Sequence, residues 1–157
     1  MKHFTPEQFK HCHLGLLLGR AALLKDRIID THMEPHGITA AQFKVLIIIA
    51  QYGVDTPAEL CRHLSLDSGS MTRMLDRLEQ KGFLARQRSE ADRRQVQLVL
   101  TEQGQQLADR LPYIGADAMN ELAGAITPDE LKTLEQILKK ILVAAGDSIT
   151  LLRVGDK

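Results

Sequence analysis

The chain has 157 residues, 44% of them hydrophobic and 25% charged, and its 20 basic and 20 acidic side chains cancel to a net charge of zero. That length predicts one domain, able to bury on the order of 68–70% of its unfolded surface without help from a disulfide or metal. Two cysteines, Cys12 and Cys61, are too few for a secreted disulfide framework. The start, Met1 to Glu7, has no apolar signal core, and no apolar run approaches ~18 residues, so a cytoplasmic protein with no membrane span is expected.

In chain order, the first helix start is Thr5-Pro6-Glu7-Gln8. It fits a capping box, in which the Thr oxygen accepts from an orphan backbone N–H and the Glu or Gln three residues on reaches back to the cap. Apolar residues then recur at Leu14, Leu17, Ala21, Leu24 and Ile28, and the helix should stop near Glu34, ahead of Pro35 and Gly37. The next box is Thr39-Ala40-Ala41-Gln42, followed by a nearly all-apolar run at 43–50 that predicts a helix buried on most sides. A third box, Thr56-Pro57-Ala58-Glu59, opens a short helix carrying Leu60 and Leu64, and another helix runs from Asp67 or Ser68 to about Lys81. The period then changes. After Gly82, residues Phe83 to Arg88 form a short extended segment, and Val96, Leu98 and Leu100 alternate as a strand does, with the polar loop 89–94 between them. Further helices open at Thr101 and at the box Thr127-Pro128-Asp129-Glu130, the last with apolar residues at Leu131, Leu134, Leu138, Ile141 and Ala145.

The order α-α-α-α-β-β-α-α defines a mainly α fold, a winged helix–turn–helix flanked by long helices. Residues 1–37 and 102–157 are expected to form a helical dimerisation region, and residues 38–101 the winged helix–turn–helix DNA-binding domain. The two helices with 3,4 apolar spacing lie at opposite ends of the chain, and such seams pack against other helices.

On the helix that follows the turn, Met71, Met74, Leu75 and Leu78 form an inward stripe, which leaves Ser68, Ser70, Thr72, Arg73 and Arg77 pointing outward. A recognition helix needs this arrangement, because small hydroxyls let the backbone approach the major groove while arginines donate paired hydrogen bonds to guanine. Arg86, Arg88, Arg93 and Arg94 cluster along the hairpin, and arginine suits a narrow, electronegative minor groove. Asp92, beside two of them, is expected to hold an arginine in a fixed rotamer. No phosphate-binding loop, HExxH, GxSxG or CxxC occurs, so no enzyme activity is expected. His32 and His36 have i, i+4 spacing, but Pro35 breaks the helix that spacing presumes, and no metal or cofactor is expected.

Residues 38–104 closely resemble the multiple-antibiotic-resistance regulator (MarR) family, most of all its founding repressor. The matching runs are Ile38 to Leu46, Thr72-Arg73-Met74-Leu75-Asp76-Arg77-Leu78, Lys81-Gly82, Asp92-Arg93-Arg94, and Leu100-Thr101 followed by Gly104. With the flanking helices, the resemblance extends over roughly 8–145. It implies a homodimeric repressor, intertwined through its first and last helices, bound to a pseudo-palindromic double-stranded DNA operator. It also implies that Arg94 enters the minor groove with Asp92 orienting it, that Thr72, Arg73 and Arg77 work in the major groove, and that Arg86 and Arg93 lie on the DNA side.

Release by a small phenolic or anionic ligand, such as a salicylate-like effector, follows from the same resemblance. The residues matching the family's anion contacts are Pro57, Thr72, Met74, Arg77 and Arg86, and an interior cleft near the first helix is the alternative location. A redox-responsive regulator built on Cys12, set between His11 and His13, is a second reading. Gln80 stands where the founding repressor has a cysteine, so metal-driven disulfide linkage is not expected. An activator or anti-repressor of the same fold, and a winged-helix protein-interaction module, are the remaining alternatives.

Overall fold

The side chains that begin each helix are the ones the sequence marks. A computed structural model describes residues 3–90 and 95–154. Helix α1 (Pro6–Phe9), α3 (Ala40–Tyr52) and α7 (Pro128–Ala144) each open with a complete capping box at Thr5, Thr39 and Thr127. Helix α4 (Pro57–Leu64) has half of one. Thr56 accepts from the Glu59 backbone N–H at 3.3 Å, and the Glu59 side chain does not return the bond. Asp67 caps α5 (Ser68–Gln80), and Thr101 caps α6 (Glu102–Ala123). Between α5 and α6, strands β1 (Leu84–Arg88) and β2 (Val96–Leu100) pair antiparallel, with Leu84 opposite Leu100 and Arg86 opposite Leu98.

Two departures from the sequence reading concern helix number, and one expected helix end is met. The first helix is divided, with α1 followed by a turn and then α2 (Leu14–Met33). The dividing residues, Lys10 to His13, bury no side chain in this chain that would reward continuing the helix, and the cap position His13 makes no side-chain bond. Helix α2 ends at Met33, as expected near Glu34, in a 3₁₀ turn (Glu34–His36) that contains Pro35, and Gly37 then takes a left-handed conformation (φ 69°). A further short helix, α8 (Ser148–Val154), follows α7.

The core gathers one end of α2 with the lobe behind it. Ile28, Ile29 and Met33 of α2 meet Val45, Leu46, Ile48 and Ile49 of α3, and the cluster continues through Leu60, Met71, Leu75, Leu78, Leu84, Leu98 and, on α6, Leu107 and Leu111. Helix α3 is thus buried on most sides, as its apolar run predicts. The hairpin is tied to this core from outside as well, since the Leu98 N–H donates to the Asp55 carbonyl at 2.7 Å. Gly104 lets α6 leave the hairpin closely, because a Cβ there would lie 1.8 Å from the Phe83 carbonyl oxygen.

The apolar seams at the two ends of the chain behave differently. Of the first seam only Ile28 is buried, while Leu14, Leu17 and Leu24 stay in solvent together with Leu16, Leu18 and Leu23. Helix α7 buries no residue, and Leu134, Ile137, Ile141 and Leu142 are exposed along it. Each leucine left in water forgoes about 1.5–3 kcal/mol of burial, so faces of this extent require a cover. No helix among the described residues is long and apolar enough to cross a membrane.

Candidate nucleic-acid interface

Helix α5 is fixed from below by Met71, Leu75 and Leu78, all buried, with Met74 half-buried beside them. Its opposite face exposes Ser68, Thr72, Arg73 and Arg77, and Ser70 is half-buried at the edge. The hydroxyls are not idle. Asp67 accepts from the Ser70 backbone N–H at 2.8 Å and from the Ser70 hydroxyl at 2.7 Å, and these bonds hold its carboxyl below the usual carboxylate range. Ser70 Oγ in turn accepts from Arg73 Nη2 at 3.1 Å, so the cap residue steers an arginine through a serine. Thr72 Oγ1 donates to the Ser68 carbonyl at 2.8 Å, which leaves its lone pairs facing outward. The Arg77 side chain makes no hydrogen bond or ion pair with a described residue and is free to meet an anion.

Arg86 has a different setting. The register of the hairpin puts it on the same face as Leu84, Leu98 and Leu100, the face turned toward α5. There its Nη1 bonds Glu79 Oε2 and its Nη2 bonds Asp76 Oδ1, both at 2.7 Å, while Nη2 also reaches the Thr72 carbonyl at 3.3 Å. The Arg86 backbone N–H donates to the other Glu79 oxygen at 3.1 Å. Read from sequence as an outward contact, Arg86 braces β1 against α5. Alternation with Leu84 is the signal that places it inward.

A second brace was not apparent from sequence. Lys81, just after α5, donates to the Gly37 carbonyl and, at 2.9 Å, to Gln42 Oε1. Gln42 is buried and also completes the Thr39 capping box, so one amide joins the start of α3 to the end of α5. Asp92, Arg93 and Arg94 lie outside the described residues.

Neither of two clefts among the described residues gathers all five residues expected to hold an anion. Met74 and Arg77 line a cleft of about 140 Å³ between α3 and α5, with Thr39, Gln42, Ser70 and Arg73. Pro57 lines another, of about 450 Å³, between the start of α4 and β2. Thr72 and Arg86 touch each other but line neither. Cys12 is a free, half-buried thiol in the turn between α1 and α2, with exposed His11 and His13 on either side. Cys61 packs against the core. His32 pairs with Glu121 of α6 at 2.8 Å, and among the described residues no three His, Cys, Asp or Glu side chains stand together as a metal site.

A helix–turn–helix whose second helix presents arginines to solvent, followed by a braced β-hairpin, defines a winged helix–turn–helix protein. Residues 38–96 match the MarR family. The chain is 42% identical to the multiple antibiotic resistance protein MarR of Escherichia coli over 130 residues, covering 82% of this chain and 90% of that one. Its Salmonella typhimurium counterpart is 43% identical over the same shares. Among solved structures, a cysteine-to-serine variant of E. coli MarR complexed with operator DNA superposes with a TM-score of 0.76 at 38% identity, covering 85% of this chain and 96% of that one. A Mycobacterium tuberculosis MarR family protein complexed with salicylic acid gives 0.66 at 29% identity, covering 82% and 95%. The chain belongs to the MarR family of transcriptional regulators.

Proposed function

We propose that this chain is a homodimeric, cytoplasmic transcriptional repressor, without enzymatic activity, that binds a pseudo-palindromic operator and is released by a small phenolic or anionic ligand. The observation that carries it is the outward face of α5, where Arg73 and Arg77 stand exposed on a helix held by three buried apolar side chains. On this reading residues 38–101 form the DNA-binding domain, with Ser68, Ser70, Thr72, Arg73 and Arg77 in the major groove. Arg93 and Arg94 work in the minor groove with Asp92 orienting, and Arg86 sets the hairpin on α5. Residues 1–37 and 102–157 form the dimerisation region, consistent with the uncovered leucines of α2 and the uncovered face of α7.

The operator-bound MarR and the salicylate-bound relative support the DNA and ligand assignments by likeness. The cleft holding Met74 and Arg77 suits the effector better than the neighbourhood of Arg86, because the Arg77 side chain has no partner among the described residues whereas Arg86 already has two carboxylates. Two lobes should meet half-sites about 34–36 Å apart.

The test is fluorescence-anisotropy binding to the DNA upstream of the protein's own gene, with and without salicylate, at 50 and 200 mM salt. A dimer making about 6–10 phosphate contacts loses ~10³–10⁵ in affinity across that range. Tight, salt-sensitive binding relieved by salicylate is expected. Binding that ignores salicylate, is lost with peroxide and is restored by thiol would replace the ligand reading with a redox one at Cys12. A flat salt dependence would refute the operator reading.

A further inference from the structure

Helix α8 returns to the lobe at one point. Arg153 lies over the Tyr52 ring at the end of α3, with its guanidinium carbon 4.4 Å from the ring centroid. Its Nη2 stands 2.6 Å from Nδ1 of His63, a buried side chain in the last turn of α4. Tyr52 and His63 are themselves neighbours, with ring centroids 6.4 Å apart. One arginine therefore joins α8 to the ends of both α3 and α4, across 90 residues of sequence.

The chemistry of that contact is restrictive. Arginine has only donors, so Nδ1 must be the accepting nitrogen and the imidazole must be neutral, carrying its proton on Nε2. A protonated His63 has no lone pair at Nδ1 and sets a second positive charge against the guanidinium. We infer that Arg153 and His63 form a proton-sensitive latch, closed when His63 is neutral and opened by its protonation, that fastens α8 to the helix–turn–helix.

The charged and titratable groups facing His63 are Arg153 of α8, Arg62 and Glu59 of α4, and Tyr52 of α3. Burial, then the charges of Arg153 and Arg62, move its pKa below the ordinary value, against a smaller opposing pull from Glu59. The sign is consistent with the geometry. The neutral form is favoured in the closed state, so the latch is fully closed above the ordinary histidine pKa of about 6.5 and loosens as pH falls below it. The buried Arg153 Nε–H has no hydrogen-bond partner among the described residues. This inference concerns two segments of one chain and stands apart from the operator reading.

The experiment is hydrogen–deuterium exchange of α8 in the full-length protein at pH 7.5 and 5.5, corrected for intrinsic rates, together with NMR titration of the His63 ring. In the native sequence, α8 protection should fall at least tenfold at pH 5.5. Arg153→Met should leave α8 at that low protection at both pH values and move the His63 titration upward. His63→Asn, whose amide oxygen supplies an uncharged acceptor near the place of Nδ1, should keep α8 protected at both. The latch is refuted if Arg153→Met leaves α8 protection unchanged at pH 7.5, or if His63→Asn shows the same loss with acid as the native sequence.

Discussion

Substituting Gly104 by alanine tests how the hairpin joins α6. The added Cβ would lie 1.8 Å from the Phe83 carbonyl oxygen and 2.8 Å from its carbon, where real side chains keep at least 3.0 Å. The carbonyl has little freedom to turn aside, because it accepts from the Thr101 N–H at 3.1 Å while the Phe83 N–H is bound to the Leu78 carbonyl at 3.0 Å. Backbone must therefore part from backbone by more than an ångström. Overpacking of this kind costs about 1–3 kcal/mol, and weakening the Thr101 bond adds roughly 0.5–1.5 kcal/mol. Better helix propensity returns at most about 0.8–1 kcal/mol. Gly115→Ala is the matched control on the same helix, since its Cβ would meet only the tip of Phe43, at 3.3 Å. Urea unfolding followed by far-UV circular dichroism, at one fixed protein concentration because association feeds into apparent stability, compares the two. With a slope of about 1–3 kcal/mol per molar urea, a net loss near 2 kcal/mol lowers the midpoint by roughly 1 M. A Gly104→Ala midpoint equal to or above that of Gly115→Ala would refute the reasoning.

Ile141→Glu places a charge on the uncovered face of α7 and should abolish the dimer in sedimentation equilibrium; an unchanged dimer mass at equal concentration would move the interface elsewhere. Arg94→Ala should weaken operator binding by about 1–3 kcal/mol per protomer in the anisotropy assay while leaving the dimer intact, and unaltered affinity would count against a minor-groove role. Asp67 has a depressed carboxyl pKa in the fold, so its support of α5 is complete above the ordinary value of about 3.9 and disappears as pH falls toward the depressed one. Asp67→Asn, an uncharged cap, should accordingly lack that part of the acid-induced loss of helix signal that sets in below about pH 4, and an identical acid profile would remove Asp67 from the account.

What could be read from the sequence was local, and what could not was distant. A Thr with Glu or Gln three residues on, or a Pro at the first helical position, carries its physics within one turn, so the helix starts at Thr39 and Thr127 were legible. The seams of α2 and α7 were legible too, because 3,4 spacing is a property of the helix itself. The break between α1 and α2 was not, since no Pro or Gly marks Lys10 to His13 and the apolar spacing starts only beyond it. Ser70 and Thr72 looked outward by position, yet both spend a hydroxyl donor on their own helix end, a habit of short polar side chains that helical projection ignores. Arg86 against Asp76 and Glu79, Lys81 against Gln42, and Arg153 against His63 each join separate elements, and only the assembled fold brings those partners together.

The brace at Arg86 ties strand β1 to α5, so that the two form one caliper. On the proposed operator reading its two jaws move together, and the duplex supplies the fit. The cost of that fit depends on how stiff the DNA is and how wide its minor groove is at the hairpin's offset from the helix. Preference for particular base steps can then arise at positions that no side chain touches. Substitutions at Asp76 or Glu79 would reset the gauge of the caliper, and with it the tolerated operator geometry, while every base-facing residue stayed the same.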